Sequence, residues 1–249
     1  MDGLLHAAAA PSTPALAAIA PHAGYVYSGL TAAHVYARLD VPRAVVVLAP
    51  NHTGLGRARS GGSVYARGSL RTPVGTVPVD EPLAAALLAA CDLLEDDPEA
   101  HEREHAVEVH LPFLLARRPD CAVVPIVLGW SDWPRTERLG EALAQVVRGW
   151  PEPVLLVASS DMNHYEAAAV NAAKDALALA EVGRLDGARL LDVTAQHRVT
   201  MCGRVPAAAV LHAARLLGAA RAEVVHRSHS GEVTGEDDRV VSYAGVIVR

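Results

Sequence analysis

The sequence predicts an α/β fold in which a central sheet, mainly parallel or mixed, is covered by helices on both faces. Short runs of β-branched residues alternate along the chain with longer segments rich in alanine and leucine, as expected of strands connected by helices. Apolar residues make up 51% of the 249 residues, which is enough for one large core, and no linker or shift in composition divides the chain. We therefore expect a single domain over residues 1–249.

Six strands are predicted from short apolar runs that end at turn-forming residues. They are Ala15–Ala20, Arg43–Ala49, Cys121–Leu128, Val154–Ala158, Ala222–His226 and Val240–Val248. Segment 63–79 contains Pro73, Gly75 and Pro78, residues typical of turns, and is predicted to form a β-meander or hairpin that extends the sheet.

Six helices are predicted between these strands. They are Gly29–Leu39, Glu81–Ala90, Val107–Arg117, Thr136–Val147, Ala167–Leu185 and Val205–Leu217. Asp80 is expected to cap the second helix, because a carboxylate there accepts hydrogen bonds from free backbone N–H groups, and Pro82 is harmless in the first turn. Pro112 is expected to kink or end the helix around it, since its ring clashes with the preceding turn.

The charge balance argues against nucleic acid and anionic membranes as partners. The formal net charge is −6, with no basic stripe, so a small molecule, a protein or a peptide is the expected partner. No apolar run approaches the roughly 20 residues that a membrane helix needs.

The cysteine count and the first residues bear on where the protein works. Three cysteines without regular spacing argue against a disulfide framework and for a reducing, cytoplasmic environment. Segment Leu4–Ala20 is alanine-rich like a secretory leader, but Asp2 replaces the usual basic start and two prolines interrupt the run. We therefore expect this segment to be part of the folded structure.

Several unusual polar residues come directly after predicted strands. His22 follows the first strand, His52 follows the second, and Asp161 and His164 follow a later one. In open α/β sheets, ligands bind in the crevice beyond the carboxyl ends of the strands. These loops are therefore expected to converge on one site.

Two imidazoles and one anionic ligand with open positions suit a redox metal that binds a substrate or O₂. The candidates for the third ligand are Asp161, Glu104 and Cys202. Cys202 precedes a predicted helix, and the helix N-terminus together with Arg204 is expected to lower the pKa of its thiol. The residues alone leave the choice among the three candidates open.

Other interpretations of these residues are less specific. With twelve histidines, some must be ordinary hydrogen-bonded surface residues, and a cysteine before a helix is commonly a packed side chain. The histidines assigned to the surface are His6, His34, His197, His212, His226 and His229. Segment 54–59, with Arg57 and Arg59, lacks the lysine of a phosphate-binding loop, and Ser160 lacks the nucleophile elbow of a hydrolase.

The motifs taken together resemble the MEMO family, called AmmeMemoRadiSam system protein B in prokaryotes. The likeness is carried, in family order, by Pro21-His22-Ala23-Gly24-Tyr25-Val26-Tyr27-Ser28-Gly29, Pro50-Asn51-His52, Glu104-His105-Ala106-Val107-Glu108-Val109-His110-Leu111-Pro112-Phe113, Ser159-Ser160-Asp161-Met162-Asn163-His164, Met201-Cys202-Gly203-Arg204 and residues 230–244. These blocks span the chain from His22 to its end.

The resemblance implies a three-layer α/β/α sandwich like that of class III extradiol dioxygenases, with a mononuclear metal bound by His22, His52 and Cys202. The metal is expected to be iron, as Fe²⁺, or copper, with zinc as a further alternative. The dioxygenases have a glutamate where this family has the cysteine, which argues against ring cleavage and towards copper or another redox role. By the same match, His164 and His105 correspond to acid/base histidines, and Asp161 could orient His164 or a metal-bound water.

Three functions remain open from the resemblance. The first is a metal-dependent oxidoreductase, the second is a non-catalytic binding or adaptor protein, and the third is a metal buffer. The family name further implies radical-SAM and AMMECR-type partner proteins. Family members usually carry an Ala-Gly-x-Phe-Tyr segment before the first strand, and because this chain starts too late to contain it, closure of the pocket is expected to differ.

Overall fold

Strands and helices alternate along most of the chain in the computed structural model, which describes residues 1–56 and 61–249. Within these residues the strands are β1 (Ala17–Ala20), β2 (Ala44–Pro50), β3 (Gly62–Val64), β4 (Ser69–Thr72), β5 (Gly75–Pro78), β6 (Leu94–Asp96), β7 (Ala122–Leu128), β8 (Val154–Ser159), β9 (His164–Glu166), β10 (Ala222–His229) and β11 (Val240–Val248). The helices are α1 (Asp2–Ala7), α2 (Tyr25–Ala37), α3 (Glu81–Ala90), α4 (His105–Glu108), α5 (Leu111–Arg117), α6 (Trp133–Gly149), α7 (Ala168–Gly183), α8 (Gly187–Gln196), α9 (Arg204–Leu216) and α10 (Gly231–Thr234), and a 3₁₀ helix spans Pro98–His101.

The central sheet is mixed. Its strands follow the order β10-β11-β1-β8-β2-β7-β3-β6, with β9 paired to β11 at one end of that strand. The four central strands β1, β8, β2 and β7 are parallel, whereas β11 and β3 are antiparallel to their inner neighbours. The carboxyl ends of β1, β8 and β2 therefore open onto the same edge of the sheet, where Ala20 pairs with Ser159.

Helices cover both faces of the sheet, so the predicted three-layer α/β/α fold is confirmed. Along β2, Val46 and Leu48 face one apolar cluster while Val45 and Val47 face the other, as the two-residue period of a strand requires. The first cluster includes buried residues of α3, α6, α7, α8 and α9, and the second includes those of α2, α4 and α5, with α1 packed on α2.

The helix predicted over Val107–Arg117 is broken in the structure. It divides into α4 and α5, and Pro112 lies in the first turn of α5, where its missing N–H needs no partner. Helix α4 begins at His105 with Glu104 as its N-cap, whose side chain accepts a hydrogen bond from the backbone N–H of Ala106. The proline therefore ends one helix and begins another, as the sequence allowed.

Other elements differ from the sequence prediction. The hairpin of β4 and β5 forms a separate two-stranded sheet, so only β3 of segment 63–79 extends the central sheet. Helix α2 starts at Tyr25, four residues before the predicted start, because Gly24 serves as its N-cap. Helix α8 was not predicted, although Asp186 caps it by accepting a hydrogen bond from the backbone N–H of Arg189.

His212 was assigned to the surface, and this assignment is wrong. The side chain is buried and its ring packs edge-on against Trp133, with ring centroids 5.3 Å apart. Gly140 makes this possible, because a Cβ there would lie 2.9 Å from a ring carbon of His212. The close packing of α6 on α9 thus places a polar ring inside the structure.

Two further predictions concern the segment considered for phosphate binding and the absence of a membrane helix. Arg57 and Arg59, considered above for phosphate binding, lie outside the described residues. Over residues 1–56 and 61–249, no helix is both long enough and apolar enough to cross a membrane.

Candidate metal centre

Three side chains that could hold a metal ion come together at the carboxyl-terminal edge of the sheet. His22 follows β1, His52 follows β2, and Cys202 precedes α9. One potential ligand atom from each lies within 4.8 Å of those of the other two. The sulfur of Cys202 is 3.3 Å from Nε2 of His22.

His22 is buried and held on its far side by a serine. Its Nδ1 lies 2.7 Å from the hydroxyl oxygen of Ser159, at the end of β8. Burial, with the nearby imidazole of His52 as the next cause, lowers the pKa of His22 to about 3. His22 is therefore a neutral imidazole at physiological pH, the form that binds metals.

His52 is held by the buried carboxylate of Glu104. One oxygen of Glu104 accepts a hydrogen bond from the backbone N–H of His52 at 2.6 Å, and the other lies 3.0 Å from Nδ1 of the ring. The hydrogen bond with Glu104 raises the pKa of His52. Burial opposes the charge on Glu104, but its hydrogen bonds with His52 and Ala106 outweigh burial and lower its pKa. A carboxylate that accepts from Nδ1 leaves Nε2 of His52 for a metal.

Cys202 is fixed by close packing against the end of β8. A Cβ at Gly203 would lie 2.1 Å from the carbonyl oxygen of Ser159, so only glycine permits this approach. The backbone N–H of Asp161 donates to the sulfur at 3.3 Å. The expectation that Arg204 and the helix lower the thiol pKa is wrong for this environment, because burial, followed by the charge of Asp161, raises it to about 12.

Asp161 lies beside the donor atoms with one of its oxygens already committed. Oδ1 accepts hydrogen bonds from the backbone N–H groups of His22, at 2.8 Å, and Ala23, at 3.2 Å. Oδ2 lies 4.0 Å from Nε2 of His22. Burial raises the pKa of Asp161. Its carboxyl therefore positions the loop that carries His22 and leaves one oxygen towards the site.

The donor atoms line a pocket of about 820 Å³ that has room for an organic molecule. His105 and His164 also line it, so the structure brings together all six predicted site residues. The ring of His105 stacks on that of His52, with centroids 5.4 Å apart. His164 begins β9, and its backbone N–H donates to the hydroxyl of Thr200 at 2.8 Å. Tyr27, Tyr165 and Tyr243 supply aromatic walls.

Two residues at the base of the site were not singled out by the sequence. The hydroxyl of Ser159 contacts both His22 and the buried His110, whose Nε2 lies 2.8 Å away. Ser159 was noticed only as part of a motif, and His110 likewise. The position of Ser159 at a strand end, directly before Ser160 and Asp161, could have indicated a site residue. Nothing in the local sequence links it to His110 and His22, which are 49 and 137 positions away.

The donor set fits a mononuclear metal ion. Each imidazole has Nδ1 engaged, one by a hydroxyl and one by a carboxylate, so each can offer Nε2. The sulfur lies beside one of these nitrogens. Nitrogen and sulfur ligands suit iron, copper and zinc rather than magnesium or calcium. Glu104, a candidate third ligand from sequence, instead hydrogen-bonds His52 from outside the donor group.

Comparison with known proteins gives consistent matches along the chain. The family model described as Memo-like protein matches residues 4–247. A MEMO1 family protein of Methanopyrus kandleri is 37% identical over 235 residues, covering 93% of this chain and 82% of that protein. One from Aquifex aeolicus is 40% identical over 233 residues, covering 93% and 85%. The crystal structure of an uncharacterized Escherichia coli K12 protein shares the fold, with a TM-score of 0.58, 16% identity and coverage of 92% and 98%.

Proposed function

The chain belongs to the Memo-like protein family, and from that premise and the donor atoms we propose that it binds a single redox metal through His22, His52 and Cys202. The observation that carries the proposal is the pair of imidazoles with Nδ1 engaged by Ser159 or Glu104. Both rings are held in the orientation that a metal ligand needs before any metal arrives.

Iron or copper is the metal that we propose, with a redox role towards an organic substrate. Such a metal, bound by two neutral imidazoles and a thiolate, would supply electron transfer at the base of the pocket. Zinc fits the same ligands but offers no redox chemistry. Because Cys202 is a buried thiol whose pKa is raised to about 12, metal binding must displace its proton.

The residues around the donor group would bind the substrate and move protons. His164 and His105 each present an imidazole to the pocket and would donate protons to, or accept them from, a bound substrate. Asp161 has one oxygen 4.0 Å from Nε2 of His22, so its carboxyl would face a substrate bound beside the donor group. The tyrosines that line the pocket would exclude water from an aromatic or apolar substrate.

Metal content of purified variants tests this function. The protein would be loaded anaerobically with Fe²⁺, or with Cu²⁺ in a parallel experiment, and the bound metal measured after gel filtration. His22→Ala and His52→Ala should lose the stoichiometric metal. His197→Ala, which changes an exposed histidine that is not one of the proposed ligands, should keep it. Equal metal content in all three variants would exclude these ligands.

Partner binding is a second candidate function, and exposed apolar side chains beside the pocket favour it. At the start of α2, Val26 is 67% exposed and Leu30 is 40% exposed, and Tyr27 of the same turn lines the pocket. The resemblance suggests radical-SAM and AMMECR-type proteins as the partners. Coexpression and copurification with such proteins would test this, and Cys202→Ser would show whether the metal is needed for the interaction.

A further inference from the structure

The hydroxyl of Ser159 is the centre of a buried hydrogen-bond network beneath His22. Its oxygen lies 2.6 Å from the carbonyl oxygen of Ala106, 2.7 Å from Nδ1 of His22 and 2.8 Å from Nε2 of His110. Ser159 and His110 are both 0% exposed. The three contacts satisfy every donor and acceptor site that a serine hydroxyl has.

Counting protons in this network fixes the direction of each hydrogen bond. A carbonyl oxygen only accepts, so the single hydroxyl proton must point to Ala106. The hydroxyl oxygen then accepts from both ring nitrogens, so Nδ1 of His22 and Nε2 of His110 must each carry a proton. A neutral His22 protonated on Nδ1 has its lone pair on Nε2, the atom 3.3 Å from the sulfur of Cys202.

We propose that Ser159 and His110 are positioning residues that hold His22 in the one tautomer able to bind a metal through Nε2. This inference rests on the proposed metal-binding function. The N–H of His110 and the carbonyl of Ala106 together prevent the serine proton from turning towards His22. Without them, the Nε2–H tautomer of His22 becomes favourable, because the sulfur of Cys202 can accept a hydrogen bond from Nε2.

The second ring nitrogen of His110 makes no competing hydrogen bond within residues 1–56 and 61–249. Among the described residues, Nδ1 of His110 has no hydrogen-bond partner, so the ring meets the network only through Nε2. Burial also lowers the pKa of His110 to about 3, which keeps the ring neutral. A buried ring with one unsatisfied acceptor costs stability, and donation to Ser159 is the compensating contact that the structure shows.

The rigidity of the surroundings makes the network effective. Ser159 is the last residue of β8 and pairs with Ala20 of β1, two residues before His22. The backbone N–H of Ser160 donates to the carbonyl of Ala20 at 2.9 Å. Because Ser159 ends one strand and His22 follows the end of the neighbouring strand by two residues, the sheet restricts the distance between them.

The first test reads the tautomer of His22 in the metal-free protein by ¹⁵N NMR of the imidazole nitrogens. The wild type should show Nδ1 protonated and Nε2 bare. Ser159→Ala should move His22 to a mixture with, or to, the Nε2–H form. Ser63→Ala removes another buried hydroxyl, on β3 and outside the pocket, and should leave the wild-type signals unchanged. A folded Ser159→Ala protein with the wild-type tautomer would overturn the proposal.

The second test measures affinity for Co²⁺, a spectroscopic probe, in the same proteins. Loss of a group that orients a metal-binding histidine lowers metal affinity about 10–100-fold, so Ser159→Ala should weaken binding to that extent and Ser63→Ala should not. If no protein binds Co²⁺, the proposed function fails, while the NMR result on the metal-free proteins still decides the tautomer.

The third test separates His110 from general effects on folding. His110→Gln keeps an N–H donor near the position of Nε2, whereas His110→Leu removes it. We expect the glutamine variant to retain the tautomer of His22 and most of the Co²⁺ affinity, and the leucine variant to lose both. If the two variants showed the same His22 tautomer and the same Co²⁺ affinity, the proposed role of His110 would be overturned. This comparison does not depend on whether Ser159→Ala folds.

Discussion

The sulfur of Cys202 lies 3.3 Å from Nε2 of His22, although 180 positions separate the two residues in the sequence. The contact joins the loop after β1 to the turn before α9, on elements that both pack against β8. A thiol and an imidazole nitrogen facing each other in this way leave little space for anything except a shared proton or a metal ion. Four substitutions test the consequences of this arrangement and of the buried groups around it.

Cys202→Ala should remove the thiolate ligand without removing the imidazoles. Because losing an outer hydrogen-bond partner already costs about 10–100-fold in metal affinity, losing a ligand should cost at least about 100-fold. The near-ultraviolet sulfur-to-metal absorption of the Co²⁺ protein should also disappear. Cys91→Ala, which truncates a buried cysteine that is not one of the proposed ligands, is the matched control and should retain both properties. Unchanged absorption in Cys202→Ala would exclude the sulfur as a ligand.

Glu104→Gln should loosen the loop that carries His52. The carboxylate accepts hydrogen bonds from the backbone N–H groups of His52 and Ala106 and contacts Nδ1 of His52. The glutamine side chain has an NH₂ group in place of one carboxylate oxygen, and this group cannot accept a hydrogen bond from an N–H. We expect a loss of about 1–3 kcal/mol in the free energy of unfolding, measured in urea. Metal affinity should fall about 10–100-fold. Glu108→Gln, at an exposed position of the same helix, should change neither quantity.

Gly203→Ala should displace Cys202 from the end of β8. The new Cβ would lie 2.1 Å from the carbonyl oxygen of Ser159 and 2.5 Å from the Cβ of Ser160, and neither is the far end of a flexible side chain. Overpacking of this kind costs about 1–3 kcal/mol, so thermal unfolding should occur at a lower temperature and metal binding should weaken. Gly149→Ala, where a Cβ meets nothing within 4 Å, should have a wild-type melting temperature and metal affinity.

Asp175→Asn should stabilise the protein increasingly as the pH rises. Burial raises the pKa of Asp175 above 3.8 in the folded state, so folding favours the protonated form. That stability is present below the unfolded pKa and is lost as pH rises through the folded pKa. Asparagine is neutral throughout and can still accept from the backbone N–H of Asn163.

The difference between Asp175→Asn and wild type should therefore be small near pH 3.5 and grow towards pH 7, measured by urea unfolding across that range. Asp192→Asn, at an exposed position of α8, should give no such trend. A pH-independent difference for Asp175→Asn would mean that hydrogen bonding, rather than charge burial, decides its effect.

Local signals predicted several elements well. The predicted bounds of α3 and β11 match the structure, because Asp80 and Pro82 mark the helix start and a mostly apolar, valine-rich run marks the strand. The short strands β6 and β9 were not predicted, since three residues carry too little periodicity. The hairpin of β4 and β5 was predicted, but its separation from the central sheet depends on packing that no turn residue encodes.

The sequence by itself determined the α/β fold and the residues that gather at the edge of the sheet, because parallel strands bring their carboxyl ends to one side. Only the tertiary structure decided what each residue does there. It placed Glu104 behind His52 rather than among the ligand atoms, and it raised the pKa of Cys202 through burial where the sequence suggested a lowered value. It also put the hydroxyl of Ser159 between His22 and His110. Hydrogen-bond direction and burial arise from neighbours distant in sequence, and therefore exist only in the folded chain.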